Sequence, residues 1–126
     1  MSELLSFASV GLGGAAGALL RYECGRIFKK HLQSGFLLAT FAINTSGAFL
    51  LGMITGLGVR DICYLLFGTG ALGGFTTFST LHHETASLWR RGKPLVSACY
   101  VAATYAVEIF AALAGFAAGR IFAGKI

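Results

Sequence analysis

An all-α integral membrane protein of four transmembrane helices is the fold class this sequence predicts, and three observations predict it. The 126 residues are 56% hydrophobic and 12% charged, with one proline and a mean hydropathy of +0.74. That leaves too little polar surface for a soluble domain of this size. Four apolar segments can be drawn, Leu4 to Leu20, Phe36 to Leu57, Ile62 to Leu88 and Leu95 to Phe122. Each meets the roughly 20 residues needed to cross the hydrocarbon core as a helix, the last two with tilt or a break. The connections are short and charged: Arg21, Glu23, Arg26, Lys29 and Lys30, then Arg60-Asp61, then Arg90-Arg91-Gly92-Lys93-Pro94. The chain reads as one four-helix membrane domain over residues 1–126.

The first span is rich in small residues and resembles a secretory signal in composition. Met1-Ser2-Glu3 lacks the positive n-region of such signals, so the helix is expected to be retained. Glycine makes up 18 of 126 residues, and a membrane helix uses glycine to let a neighbouring backbone approach. Gly13-Gly14-Ala15-Ala16-Gly17 offers such a face, as do Gly47, Gly52 and Gly56, and Ala111, Gly115 and Gly119. Placing the first and third connections on one side gives seven Lys or Arg there against three on the other, which puts both termini outside. Arg21 can also belong to the first helix, so insertion both ways round stays open.

The second span carries Asn44 near its middle, within Thr40-Phe41-Ala42-Ile43-Asn44-Thr45-Ser46-Gly47. Its amide either donates to an anion or ties two helices together, and position alone does not choose.

The third span carries Gly73-Gly74-Phe75-Thr76-Thr77-Phe78-Ser79-Thr80. Glycines and hydroxyls at membrane depth predict a broken helix near Gly73 to Thr80, because lipid tolerates irregular backbone only where protein or water surrounds it. A break frees carbonyl oxygens, which with threonine groups suit a desolvated hard monovalent cation. The alternative is a plain kink filled by threonine back-bonding. Phe78, with Phe75 one turn earlier, can turn a positive ring edge to an anion, although packing is the commoner role of such a ring.

The fourth span places Tyr100, Thr104 and Glu108 at i, i+4 and i+8, one polar stripe on an apolar helix. Such a stripe lines water, an ion path or a helix seam. Four helices enclose little pathway by themselves, so an oligomer is expected, with a homodimer the commonest closed form.

Other function classes are poorly served. The net charge of +5 comes from basic residues placed singly or in pairs at helix ends, which suits anchoring to anionic lipid headgroups and not nucleic acid. Cys24, Cys63 and Cys99 have no metal-ligand or disulfide spacing. No paired carboxylates or nucleophile–base pair marks an enzyme, and adjacent His82 and His83 point to different helix faces.

These motifs together resemble the small fluoride channels of the Fluc (CrcB) family, across all four segments. Gly13 to Tyr22 is similar to that family's glycine-rich first helix ending in arginine, Thr40 to Gly47 to its asparagine motif, and Gly73 to Thr80 with Glu84 to its third-helix break. The resemblance implies an antiparallel, dual-topology dimer in the inner membrane, with two parallel pathways that export fluoride passively and give fluoride resistance. It implies a structural sodium ion at the two-fold axis, held by backbone carbonyls of Gly73 and Thr76 from each subunit. Asn44, Phe78, Ser79 and Thr80 would line the fluoride route, Tyr100 and Thr104 would form its polar track, and Arg21 and Glu84 would be structural.

The chain departs from the family pattern in places. Leu81 stands where a second phenylalanine is usual, Glu108 where a small hydroxyl residue is usual, and Ala39 where glycine is usual; the loop before the second helix lacks a proline, and His82 and His83 follow Leu81. An ionised Glu108 would repel fluoride, so it must be protonated, paired or turned away. Two further readings follow from these residues. One is a non-conducting or weakly conducting partner subunit of a heterodimer. The other is a proton-coupled exporter of small multidrug type using Glu108, although that resemblance would place a glutamate inside the first helix, where only Glu3 and Glu23 stand near the ends.

Overall fold

Backbone in lipid must close its hydrogen bonds within itself, and a helix does so within one segment. A computed structural model, which describes residues 2–31 and 35–124, accordingly shows helices and, among the described residues, no strand. Helix α1 (Glu3–His31) and α2 (Gly35–Leu57) are each one span. The third span is divided into a half-helix α3 running 61–75 and a second half α4 (Phe78–Arg90), and α5 (Pro94–Phe122) is the fourth. Four stretches are long and apolar enough to cross a membrane, as the sequence predicts.

Two features differ from the sequence reading. Arg21, Glu23, Arg26, Lys29 and Lys30 do not form a loop but continue α1 to His31. Lys, Arg and Glu are good helix formers once beyond the lipid, and Arg26 Nη2 pairs with Glu23 Oε2 at 2.7 Å, one turn apart. Within α3, Tyr64–Leu72 is a nine-residue π-helix, a wider turn that hydropathy patterning does not distinguish from an α-helix. Met1, residues 32–34 of the loop read as lacking proline, and Lys125 of the basic count lie outside the described residues.

Small residues set how closely the spans meet. On one seam a Cβ at Gly13 would overlap Leu66 O, at Gly17 Ala71 O, and at Gly74 Gly14 O, so α1 and α3 touch backbone to backbone. On the other, Gly52 and Gly56 of α2 oppose Ala112 and Phe116, while Gly115 and Gly119 of α5 oppose Phe49 and Met53. The α2–α5 pair is the most extensive helix contact, with α1–α3 next. Among lipid tails as apolar as leucine, close approach of this kind replaces the hydrophobic effect as the force between helices. The outward surface is accordingly apolar, with Phe7, Leu95, Phe110 and Ile121 well exposed.

The second half of the broken span is tied to α5 by Ser97, 1% exposed, whose hydroxyl donates to Thr85 O at 2.8 Å. Pro94 opens α5 in the first turn, where its missing N–H costs nothing. Ser97→Ala is expected to loosen α4 from α5 by about 1 kcal/mol, read as a lower melting temperature in detergent.

Candidate ion site at the break of the third span

The break is two residues of extended backbone, Thr76 (φ −80, ψ 158) and Thr77 (φ −144, ψ 111), set between two half-helices. Thr76 still belongs to α3: its N–H and its hydroxyl both donate to Leu72 O at 3.0 Å. Thr77 leaves the helix altogether. Its N–H donates to Asn44 Oδ1 at 2.8 Å, and its carbonyl accepts from Asn44 Nδ2 at 3.0 Å. Asn44 thus stands in for the missing helical partners of one whole peptide residue, at 6% exposure. In a continuous α-helix the Thr77 N–H would go to Gly73 O, so the Asn44 bond takes that donor away from the Gly73 carbonyl.

Thr77 then starts α4. Its Oγ1 accepts from Thr80 N at 3.1 Å and lies 3.0 Å from Thr80 Oγ1 in a second hydrogen bond. This N-cap leaves the amides of Phe78 and Ser79 without partners in their own helix, at its positive end. Gly47 makes the arrangement possible, since a Cβ there would overlap Thr76 Cγ2. Both sequence-level alternatives for this stretch are therefore present, threonine back-bonding at Thr76 and a true break at Thr77.

Two cavities flank the break. One, of about 380 Å³, is lined by Asn44, Gly73, Thr76, Phe78, Tyr105 and Glu108. The other, of about 410 Å³, is lined by Arg21, Arg26, Thr40, Thr77 and Thr80. Thr77 borders both. Arg21 reaches across from α1, its Nη1 donating to Thr76 O over a long 3.4 Å.

The remaining candidates fall in different surroundings. Phe78 is 68% exposed and stacks on His82, with ring centroids 3.8 Å apart. Ser79 is exposed and Thr80 half-buried. Phe75, Leu81 and Glu84 are buried. Thr104 is fully buried and donates to Tyr100 O at 2.7 Å, within its own helix, and Tyr100 is half-buried. Glu108, half-buried, is the member of the stripe that borders the first cavity, and its Oε1 has no hydrogen-bond partner among the described residues.

Sequence reasoning missed Thr77 as the pivot of the site, although a threonine directly before a helical run is a strong N-cap signal. It also missed Tyr105, which lies one residue outside the polar stripe and carries no spacing signal.

The donor set at the break suits a hard monovalent cation. Among the described residues no group of three or more His, Cys, Asp or Glu gathers, so a cation here would be held by neutral backbone and hydroxyl oxygens. Gly73 O, deprived of the Thr77 donor, is an oxygen of that kind, whereas Thr76 O already accepts from the Arg21 guanidinium, whose charge opposes a second cation there.

Residues 8–116 match the family described as CrcB-like protein, Camphor Resistance (CrcB). The chain belongs to the CrcB family. A Bacillus cereus relative named fluoride-specific ion channel FluC 2 is 44% identical over 89% of this chain and 95% of its own length. An Erythrobacter litoralis protein named fluoride-specific ion channel FluC is 42% identical over 98% of both chains. A Listeria monocytogenes protein named fluoride-specific ion channel FluC 1 is 38% identical over 92% of this chain and 98% of its own. Four apolar spans and CrcB membership make this a multi-pass membrane protein, which in a bacterium means the plasma membrane. As a CrcB protein whose relatives are named channels, it is not an enzyme.

Proposed function

We propose that this CrcB chain is a fluoride-selective channel through which fluoride leaves the cytoplasm passively. The observation that carries the reading is the break at Thr76-Thr77, braced by Asn44 and flanked by two cavities that each carry a few polar groups on largely apolar walls. Fluoride is small and strongly hydrated, so a pathway must replace its water with hydrogen-bond donors. The donors available are the second Nδ2 hydrogen of Asn44, the hydroxyls of Ser79 and Thr80, and the first amides of α4, with the edge of Phe78 beside them. Arg21 and Arg26 around the second cavity raise the local concentration of anions.

The working unit in this reading is an antiparallel, dual-topology homodimer with two pathways. The polar groups Asn44, Thr76, Thr77 and Glu108 around the first cavity would be costly against lipid, and a second copy would cover them. A structural sodium ion at the two-fold axis would be held by the Gly73 and Thr76 carbonyls of each copy, offsetting the negative ends of the two α3 half-helices. Tyr100 and Thr104 would form the polar track, and Arg21 and Glu84 would hold the surrounding helices. Glu108 beside the first cavity favours a second reading, a weakly conducting or non-conducting partner in a heterodimer.

The test is efflux from liposomes holding the purified protein, followed with a fluoride electrode beside a chloride control. Fast efflux of fluoride alone is expected, with Phe78→Ile slowing it at least about tenfold by removing the aromatic edge. Silence from a folded dimer would remove homodimeric conduction and leave the partner-subunit reading.

A further inference from the structure

Beside the break, Phe78 is linked to two side chains that the channel reading does not use, His82 and Tyr105. The ring of His82 lies 3.8 Å from that of Phe78 at an interplanar angle of 27°. His82 Nδ1 is 3.0 Å from Phe78 O, and its Nε2 is 3.1 Å from the Tyr105 hydroxyl. Tyr105 and Phe78 both border the first cavity.

Hydrogen-bond accounting assigns the protons. A carbonyl has none to give, so the contact with Phe78 O places a hydrogen on Nδ1. In the neutral ring Nε2 then carries only a lone pair and accepts the hydroxyl proton of Tyr105. That leaves Tyr105 with no hydrogen for the cavity. Protonation of His82 makes both ring nitrogens donors, so Nε2–H donates to the Tyr105 oxygen and the phenolic hydrogen must turn away from the ring.

We propose that Tyr105 is an anion-contacting residue of the first cavity, and that protonation of His82 reverses their hydrogen bond and turns the Tyr105 hydroxyl proton to the anion. The device rests on the fluoride-channel reading and deepens it. It supplies a donor beside Phe78, next to the position where Leu81 offers no ring edge. Protonated His82 also sets a positive charge against the face of the Phe78 ring, a cation–π contact that steadies the stack.

The neighbouring titratable groups are few. From α5, Tyr105 is in contact, and Tyr100 and Glu108 belong to the same helix; from α3, Tyr64 borders the cavity; α2 has no titratable side chain; and on α4 itself stand His83 and Glu84. Of these, Glu108 is the carboxyl that shares the cavity with Tyr105, so it is the group to separate from His82.

Fluoride efflux from proteoliposomes at about pH 5.5 and about pH 7.5 brackets the range in which histidine side chains change charge. Protein-free vesicles at each pH give the baseline, because hydrogen fluoride crosses lipid unaided. The expected parent flux is about fivefold faster at the lower pH, the worth of one added hydrogen bond. Tyr105→Phe and His82→Gln should each bring the ratio to about one, and Glu108→Gln should leave it near fivefold. Either of the first two variants suffices if the other misfolds. A parent ratio of one, a ratio that survives in Tyr105→Phe, or one that disappears in Glu108→Gln overturns the proposal while the channel reading stands. Silence of the folded parent at both pH values overturns the channel reading and takes this device with it.

Discussion

Asn44→Ala is expected to cut fluoride efflux at least about a hundredfold and to lower the melting temperature of the detergent-solubilised protein by several degrees. The substitution removes both hydrogen bonds that hold Thr77, leaving its buried N–H and carbonyl without those partners between the two cavities. Each orphaned group costs about 1–3 kcal/mol, and the cheapest escape is for Thr77 to rejoin a continuous helix. That escape returns the Thr77 N–H to Gly73 O and closes the break. Asn44→Asp divides the two roles. It keeps an acceptor for the Thr77 N–H but loses the donor to Thr77 O, and it adds a negative charge where an anion should pass. It should therefore be blocked as fully as Asn44→Ala whatever its melting temperature. An Asn44→Ala protein with parental flux would place the pathway elsewhere.

Gly115→Leu is expected to abolish the folded species, seen as loss of the monodisperse peak on size exclusion in detergent. A side chain there would meet Phe49 O and Met53 N of α2, which are backbone atoms and cannot rotate aside. Overpacking alone costs about 1–3 kcal/mol, and separating α2 from α5 also gives up the Gly52, Gly56 and Gly119 contacts along the same seam. Gly11→Leu is the control. Nothing lies within 4 Å of a Cβ at Gly11, so the change should stay within about 0.5 kcal/mol. A folded Gly115→Leu protein with normal thermal stability would show that the seam is looser than its backbone contacts imply.

Particular residues show how far the sequence could be read. The four spans were legible because lipid imposes one length and one polarity on any segment that crosses it, and Leu4 to Phe122 obeys that rule four times. The glycine faces at Gly13 to Gly17, Gly52 to Gly56 and Gly115 to Gly119 were legible because small residues at helical spacing have one principal use in a membrane. The end of α1 was not, since Arg21 to Lys30 are as much at home on a helix emerging into water as in a loop. The π-helix at Tyr64–Leu72 left no trace in hydropathy, because it changes hydrogen-bond partners without changing which residues are apolar. Tyr105 was invisible for a related reason: one residue from Thr104 on the helix, it points about 100° away from the polar stripe.

By itself, the sequence determined that this protein lives in a membrane, crosses it four times, and interrupts its third crossing near Gly73 to Thr80. Those properties follow from composition and from the intolerance of lipid for polar backbone, and they hold whatever the helices pack against. The tertiary structure decided what Asn44 does. From position alone its amide could serve an anion or join two helices, and only the arrival of Thr77, 33 residues away, gives both ends of the amide a partner. The same holds for His82 and Tyr105, 23 residues apart, whose pairing depends on α4 and α5 lying side by side. A hydrogen bond needs two groups within about 3 Å, and that distance is a property of packing that neither residue carries in the chain.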